Sequence, residues 1–240
     1  MKAMILAAGL GTRLLPLTIS KPKALIEING QTLLEICINK LIASGIEEIV
    51  VNTHHFAGML KEYLNSKNNF GVTIVISDES DQLLDSGGGI QKARQFLGNE
   101  SFLVYNVDIL SSIDINTMFS WHMENEALAT LAVRKRSTSR YLLFDNTNCL
   151  RGWKNENNNQ IKINNGYNEL NLNKLAFSGI QIISTQFFDK LTLKGKFSII
   201  EAYLQLSENE KIIAYAHDSD KWIDVGKSES LRAASKLFKD

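Results

Sequence analysis

The stretch MKAMILAAGLGTRLLPLT, residues 1–18, decides how the rest of the chain is read. Met4 to Ala8 is a short unbroken apolar run ending at Gly9, the pattern of a strand buried on both faces. Gly9-Leu10-Gly11-Thr12-Arg13 follows at once, so a glycine-containing turn falls at the carboxyl end of that strand, where open α/β sheets bind ligands. Gly9 and Gly11 lack side chains and let backbone N–H groups approach an anion closely. Thr12 adds a hydroxyl donor, and Arg13 a permanently charged fork suited to phosphate oxygens. Two familiar phosphate loops are excluded. Leu14 stands where a dinucleotide-binding turn needs its third glycine, and Pro16 opposes a long helix there. No Gly-x-x-x-x-Gly-Lys-Ser/Thr occurs. A turn with only a structural role stays open at this point.

Charge placement adds to the anion reading. From Met1 to Ile26 there is no Asp or Glu, while Lys2, Arg13, Lys21 and Lys23 occur there. Outward from this front end, apolar residues recur at helical spacing over Leu33–Ala43, which stops before Gly45. Strands are predicted at 48–52, 72–76, 102–105 and 129–133, with helices at 56–64, 88–97 and 115–123 between them. Such alternation with short connections signals βαβ units and a mostly parallel sheet covered on both faces. The rhythm changes after about Ser137. Residues 141–179 are rich in Asn and Gly with turn pairs such as Asn165-Gly166, and read as a β-rich insertion over the sheet's edge. Helix and strand patterns return at 199–206 and 212–216, with a closing helix at 228–238. The expected class is α/β, a Rossmann-like, mostly parallel mixed sheet flanked by helices, in a single domain spanning 1–240.

Composition narrows the function. With 240 residues the chain buries roughly 70% of its unfolded surface and needs no disulfide or metal to fold. Twenty-six basic residues balance twenty-six acidic ones, so no global field favours nucleic acid or an anionic membrane. No apolar run approaches a membrane span, and the opening stretch lacks the cleavage region of a signal peptide. The two cysteines, Cys37 and Cys149, have no metal-ligand spacing and suit a reducing compartment, so a cytoplasmic protein is expected. The four histidines show no ligand pattern either, and His122 and His217 read as structural or solvated.

Read together, the separated blocks are specific. Gly9-Leu10-Gly11-Thr12-Arg13, Pro16-Leu17-Thr18 and Pro22-Lys23, followed downstream by Gly87-Gly88-Gly89, Asn106-Val107-Asp108, Phe177-Ser178-Gly179 and Trp222-Ile223-Asp224-Val225-Gly226, resemble the sugar-1-phosphate nucleotidyltransferases over most of the chain. The resemblance implies attack by a sugar 1-phosphate oxygen on the α-phosphate of a nucleoside triphosphate, with release of pyrophosphate. It implies a nucleotide-binding part at 1–136 and a sugar-phosphate-binding part at 137–240. Arg13 and Lys23 would be the catalytic cations, joined in nucleotide binding by Ala8, Gly9, Gly11, Thr12, Glu79, Gly87 and Gly88. Asn106, Gly152, Ser178 and Gly179 would line the sugar-phosphate site. Asp108 and Asp224 would hold Mg²⁺, a hard cation suited to carboxylate and phosphate oxygens. Val107 departs from the family, where a glycine usually precedes the metal-binding Asp. Trp153 and Trp222 could stack on a sugar or fill core, with core favoured for Trp222.

The chain resembles the compact members of the family without a C-terminal β-helix. The Asp85-to-Ile90 segment, with Phe177-Ser178-Gly179-Ile180 and the Trp222 block, is most similar to the bacterial uridylyltransferases of cell-wall recycling, which use UTP and N-acetylmuramate 1-phosphate. Guanylyltransferases using GTP and mannose 1-phosphate share nearly the same motifs and stay open, as does a non-catalytic nucleotide-binding module. The implied partners are a nucleoside triphosphate and a sugar 1-phosphate, with the protein a monomer or homodimer.

Overall fold

A computed structural model describes residues 1–239. Its elements are β1 (Ala3–Leu6), β2 (Glu27–Ile28), β3 (Gln31–Thr32), α1 (Leu33–Ala43), β4 (Glu48–Thr53), α2 (Ala57–Ser66), β5 (Thr73–Asp78), α3 (Asp85–Lys92) and α4 (Arg94–Leu97). There follow β6 (Phe102–Asn106), β7 (Ile109–Ser111), α5 (Ile115–Glu124), β8 (Ala129–Arg134), β9 (Arg140–Phe144), β10 (Leu150–Asn155), β11 (Gln160–Ile163) and β12 (Asn173–Ile183). The chain closes with α6 (Phe187–Lys190), α7 (Ile199–Leu206), β13 (Ile212–Ala216), β14 (Trp222–Asp224) and α8 (Ser228–Leu237).

β1 lies in the middle of the main sheet because it is apolar on both faces. Ala3 and Ile5 belong to one core cluster with Leu34, Ile38 and Leu103. Met4 points the other way, into a second cluster with Ile90, Val104 and Leu131. Successive side chains of a strand alternate between faces, so a run apolar at every position has to be covered twice. β1 pairs in parallel with both β4 and β6, and β4 pairs in parallel with β5. The covering helices begin where the sequence supplies caps. The Thr32 hydroxyl accepts from Glu35 N at 3.1 Å at the start of α1, and Asp114 accepts from Asn116 N and Thr117 N at the start of α5. The helix expected over 88–97 is divided into α3 and α4 at Ala93.

The β-rich segment extends the sheet past the parallel strands. It forms one end of the main sheet, as expected, and joins it through the eleven-residue strand β12, which is long enough to serve two neighbours on one side. The carboxyl half of β12 lies between β6 and β8, antiparallel to both, and its amino half pairs with β9. β10 and β11 continue from β9 as an antiparallel meander. Because β12 runs opposite to β6, its amino half continues past the carboxyl end of β6, where the ligand cleft of an α/β sheet opens. Asn165-Gly166 lies in the turn between β11 and β12, where Tyr167 N donates to Asn164 O, and not in a two-residue hairpin.

Candidate active site

Leu6 at the end of β1 is in register with Asn52 on β4 and Asn106 on β6, so two polar side chains stand level at the carboxyl edge of an apolar sheet. Asn52 Oδ1 accepts from Ala7 N at 2.7 Å and Ala8 N at 3.3 Å, and its Nδ2 donates to Glu79 Oε1 at 2.7 Å. Glu79 Oε2 accepts from Leu84 N at 3.1 Å. Both side chains are buried. A buried amide and carboxylate are tolerated because each of their oxygens has at least one donor, and the pair holds the turn after β1 to the loop after β5.

Within that turn Gly11 has φ +64°, and a Cβ there would lie 2.8 Å from Thr18 Cγ2, so both conformation and space demand glycine. Thr18 donates to Gly11 O at 2.9 Å, and Leu14 anchors the Thr12–Leu14 helical turn in the core. Gly9 has open space around it. Arg13 is exposed, with its guanidinium close over Gly226: a Cβ on Gly226 would lie 2.8 Å from Arg13 Nη2.

The two aspartates are brought together by a short antiparallel pair. β14 sets Asp224 opposite Ile109 of β7, and Val225 N donates to Asp108 O at 2.9 Å. Lys23, nearly buried, makes an ion pair with Asp108. Asp224 accepts from Gly226 N at 2.7 Å. Its carboxyl is pushed up from the ordinary range, first by burial and then by the neighbouring Asp108 charge, while Lys23 and Arg13 pull the other way. Arg13, Lys23, Asp108 and Asp224, scattered over 212 positions of sequence, therefore surround one point. Ala8, Gly9, Gly11, Thr12, Glu79 and Asn106 share with Arg13, Lys23 and Asp108 a cleft of about 690 Å³. That is ample for a nucleotide and a sugar phosphate.

Other expected site residues turn out to be scaffold. Gly87 and Gly88 lie outside the lining of the cleft and are engaged with the chain itself: both N–H groups donate to Phe197 O, at 3.0 and 3.2 Å. A Cβ on Gly87 would sit 2.4 Å from the Phe197 ring, and one on Gly88 2.2 Å from Gly195 O. Gly152 also lies outside that lining, in the β10–β11 ladder, where a Cβ would strike Lys162 O at 2.4 Å. Ser178 is fully buried and lies off the cleft, 2.7 Å from His217 Nε2. Burial pushes His217 down to about 4, so this ring is neutral near pH 7. Gly179, at φ +76°, packs under Asn106; a Cβ would come 2.9 Å from Asn106 Nδ2. It acts by letting that side chain stand where it does. His122 is buried and bonded to Thr130 and Ser101, a structural residue. Trp153 packs partly buried against the second core cluster and Trp222 against the first. The indole of Trp222 donates to Ser178 O at 3.0 Å.

Asn52, Asp85, Ser86, Arg140 and Lys196 also line the cleft and escaped the sequence reading. Asn52 had a usable signal: a polar residue closing the apolar run Ile49-Val50-Val51, as Asn106 closes its own strand. Arg140 and Lys196 had none, being ordinary basic residues in polar segments.

A mixed sheet with a cationic glycine turn and a carboxylate pair at its carboxyl edge defines a nucleotide-handling α/β protein. Residues 2–143 match the nucleotidyl transferase family model, and the chain belongs to that family, the sugar-1-phosphate nucleotidyltransferases. It is 29% identical over 250 residues to N-acetylmuramate alpha-1-phosphate uridylyltransferase of Neisseria meningitidis serogroup B, covering 99% of this chain and 98% of that one. To the enzyme of the same name from Caulobacter vibrioides it is 45% identical over 108 residues, 44% of this chain and 45% of that one. Among solved structures, HddC from Yersinia pseudotuberculosis complexed with GMP-PN superimposes with a TM-score of 0.78 at 21% identity, covering 99% of both chains. No helix among the described residues is long and apolar enough to cross a membrane.

Proposed function

We propose that this chain transfers the uridylyl group of UTP to N-acetylmuramate α-1-phosphate, releasing pyrophosphate and forming the nucleotide sugar. The observation that carries the reading is the meeting of Arg13, Lys23 and Asp108 at one cleft, with Asp224 beside Arg13 and Asp108. The choice of substrates leans on the two uridylyltransferase relatives, one of them aligned end to end. In the reaction a phosphate oxygen of the sugar 1-phosphate bonds to the α-phosphorus as the bond from that phosphorus to the bridging oxygen breaks, and the electron pair leaves with pyrophosphate. Two polyanions must be aligned in line, so positioning and charge neutralisation carry most of the catalysis.

Arg13 is placed on the turn whose N–H groups face the triphosphate, where its fork offsets charge growing on the departing pyrophosphate. Lys23 is held by Asp108 in the free protein, so its ammonium is already oriented when the phosphates arrive. It then shares its charge with the α-phosphate or the incoming sugar phosphate. Asn52 and Glu79 fix the turn's backbone. Asp108 and Asp224 suit a divalent cation in chemistry: they are neighbouring carboxylates, and Mg²⁺ is typically bound by one or two carboxylates plus substrate phosphates and water. A bound Mg²⁺ would supply charge neutralisation for the phosphates and hold the α-phosphate in line.

A matrix of UTP, GTP, dTTP, CTP and ATP against N-acetylmuramate, mannose, glucose and N-acetylglucosamine 1-phosphates, read as pyrophosphate and nucleotide sugar, tests the proposal. Fastest turnover is expected for UTP with N-acetylmuramate 1-phosphate, and it should vanish with EDTA and return with Mg²⁺. Fast turnover of GTP with mannose 1-phosphate in its place would overturn the substrate assignment and keep the reaction class. Absence of product from every pair would leave only a binding module.

A further inference from the structure

Three cationic side chains beside the cleft take no part in the chemistry above: Lys196 stands near α3, and Arg136 and Arg140 stand beside β12. Lys196 follows Gly195, whose carbonyl packs on Gly88, and so stands beside the loop after β5, the nucleoside end of the cleft. Arg136 and Arg140 stand at the opposite end. Arg136 Nη2 donates to Phe177 O at 3.1 Å, and its guanidinium stacks 4.6 Å from the centre of the Trp222 ring. Arg140 opens β9, which pairs with β12 through Leu142 and Leu175. Extending that ladder by two residues sets Arg140 beside Phe177, on the same side of β12 as β6.

The ladder also works as a ruler. Ile180 is opposite Tyr105, so Gly179 is level with Asn106, and Phe177 lies two residues further from the sheet. At about 3.4 Å per residue, Arg140 stands roughly 7 Å beyond Asn106, less whatever the β12 bulge removes. A hexose ring seated with its phosphate near Asp108 and Lys23 fills a gap of that size. Arg140 then faces the ring's far substituents and not its phosphate.

Neither arginine has a carboxylate partner. Arg140 is exposed, lines the cleft, and its guanidinium makes no hydrogen bond or ion pair among the described residues. Arg136 is half-buried, and its Nε is buried without an acceptor. The charges facing Arg136 are Asp224, Arg134 and the Tyr141 ring hydroxyl, and no ion pair forms with any of them. The unengaged fork of Arg140 can meet a ligand carboxylate with two parallel N–H donors, and Arg136, stacked on Trp222 and bonded to Phe177 O, adds a fixed charge near it.

We infer that Arg140, backed by Arg136, binds a carboxylate carried on the sugar, so that the site selects an acidic hexose 1-phosphate over its neutral counterpart. This rests on the uridylyltransferase reading, whose substrate differs from N-acetylglucosamine 1-phosphate by an acidic ether arm on the ring. Arg140 supplies the accessible fork and Arg136 the fixed charge behind it.

The experiment compares wild type with Arg140→Met and Arg140→Lys, using kcat/KM for N-acetylmuramate and N-acetylglucosamine 1-phosphates with UTP. Equilibrium binding of the two corresponding UDP-sugars is measured alongside, with thermal midpoints as a check on folding. Arg140→Met keeps the apolar stem of an exposed side chain, so the fold is expected to survive. The selectivity for the acidic sugar, and the binding preference for its UDP derivative, should fall about 10- to 100-fold in Arg140→Met, the range of one charge-assisted bidentate contact. Arg140→Lys should recover part of it. An equal loss on both sugars would assign Arg140 to the shared phosphate and overturn the inference, as would an unchanged ratio. Wild type that prefers a neutral sugar would instead defeat the substrate assignment, a result read without any variant.

Discussion

Two glycine-bearing loops face each other across this cleft and use glycine in opposite ways. In Gly9–Arg13 the space where a Gly9 side chain would go is open, and the turn presents backbone and Arg13 to the cleft. In Asp85–Gly89 the corresponding spaces are filled by the protein itself: Phe197 against Gly87, Gly195 O against Gly88, and Glu79 with Asn52 against Gly89. The first loop is bare so that a ligand can come near. The second is bare so that α3 can press against the 195–197 segment and donate two N–H groups to Phe197 O. A run of glycines in sequence signals close approach of something, and only the fold says whether that something is ligand or chain.

Substitutions separate the two uses, because damage to a ligand loop appears in turnover and damage to a packing loop in stability. The largest effect is expected where the ligand loop meets its carboxylate partners. Asp108→Asn and Asp224→Asn should each lower kcat about 10³-fold or more, some 4 kcal/mol of transition-state stabilisation. The thermal midpoint of Asp224→Asn should hold or rise, since the buried Asp224 charge beside Asp108 is unfavourable to the fold above its raised titration point. A lost midpoint in that variant would make Asp224 a structural residue. Arg13→Met comes next, with about a 10²-fold loss in kcat/KM, near 3 kcal/mol, and an unmoved midpoint because the side chain is exposed. Gly88→Ala should do the reverse. Its methyl meets backbone at 2.2 Å, and the expected cost is about 2–3 kcal/mol of stability, or a midpoint lower by roughly 5–10 °C. Nucleotide KM in the folded fraction should stay close to wild type, and a KM that rises with no stability loss would return Gly88 to the nucleotide site.

What the sequence could reveal follows the same division. Strands and helices of the parallel half were legible because burial on both faces forces uninterrupted apolar runs: α1 spans Leu33–Ala43 as its spacing predicts, and α7 and β13 also fall where expected. The convergence of Arg13, Lys23, Asp108 and Asp224 was legible through motif blocks, since a phosphate site of the kind proposed restricts residue type at each position. The antiparallel extension was harder. Its strands β10 and β11 are half-exposed and Asn-rich, and the path by which β12 serves β6 and then β9 depends on pairings far apart in sequence. Arg140 shows the limit: only the register of β9 on β12 lifts it from an ordinary surface cation to the rim of the cleft.

The smallest expected effect is the sharpest probe of the comparison. Gly9 does not need a left-handed backbone, and nothing lies within 4 Å of a Cβ placed there. By the fold alone, Gly9→Ala should therefore leave stability within about 0.5 kcal/mol, or raise it slightly by restricting the unfolded chain. A ligand changes that expectation. The added methyl would occupy the face across which phosphate oxygens must come to the backbone N–H groups, so KM for the nucleotide should rise about 3- to 10-fold while kcat changes little, a loss of near 1 kcal/mol of uniform binding. Gly88→Ala carries the same methyl in the facing loop and should give the opposite split between stability and KM. If Gly9→Ala leaves KM as well as stability untouched, the open space beside Gly9 is ordinary solvent, and the turn after β1 contributes Arg13 but not its backbone to the triphosphate.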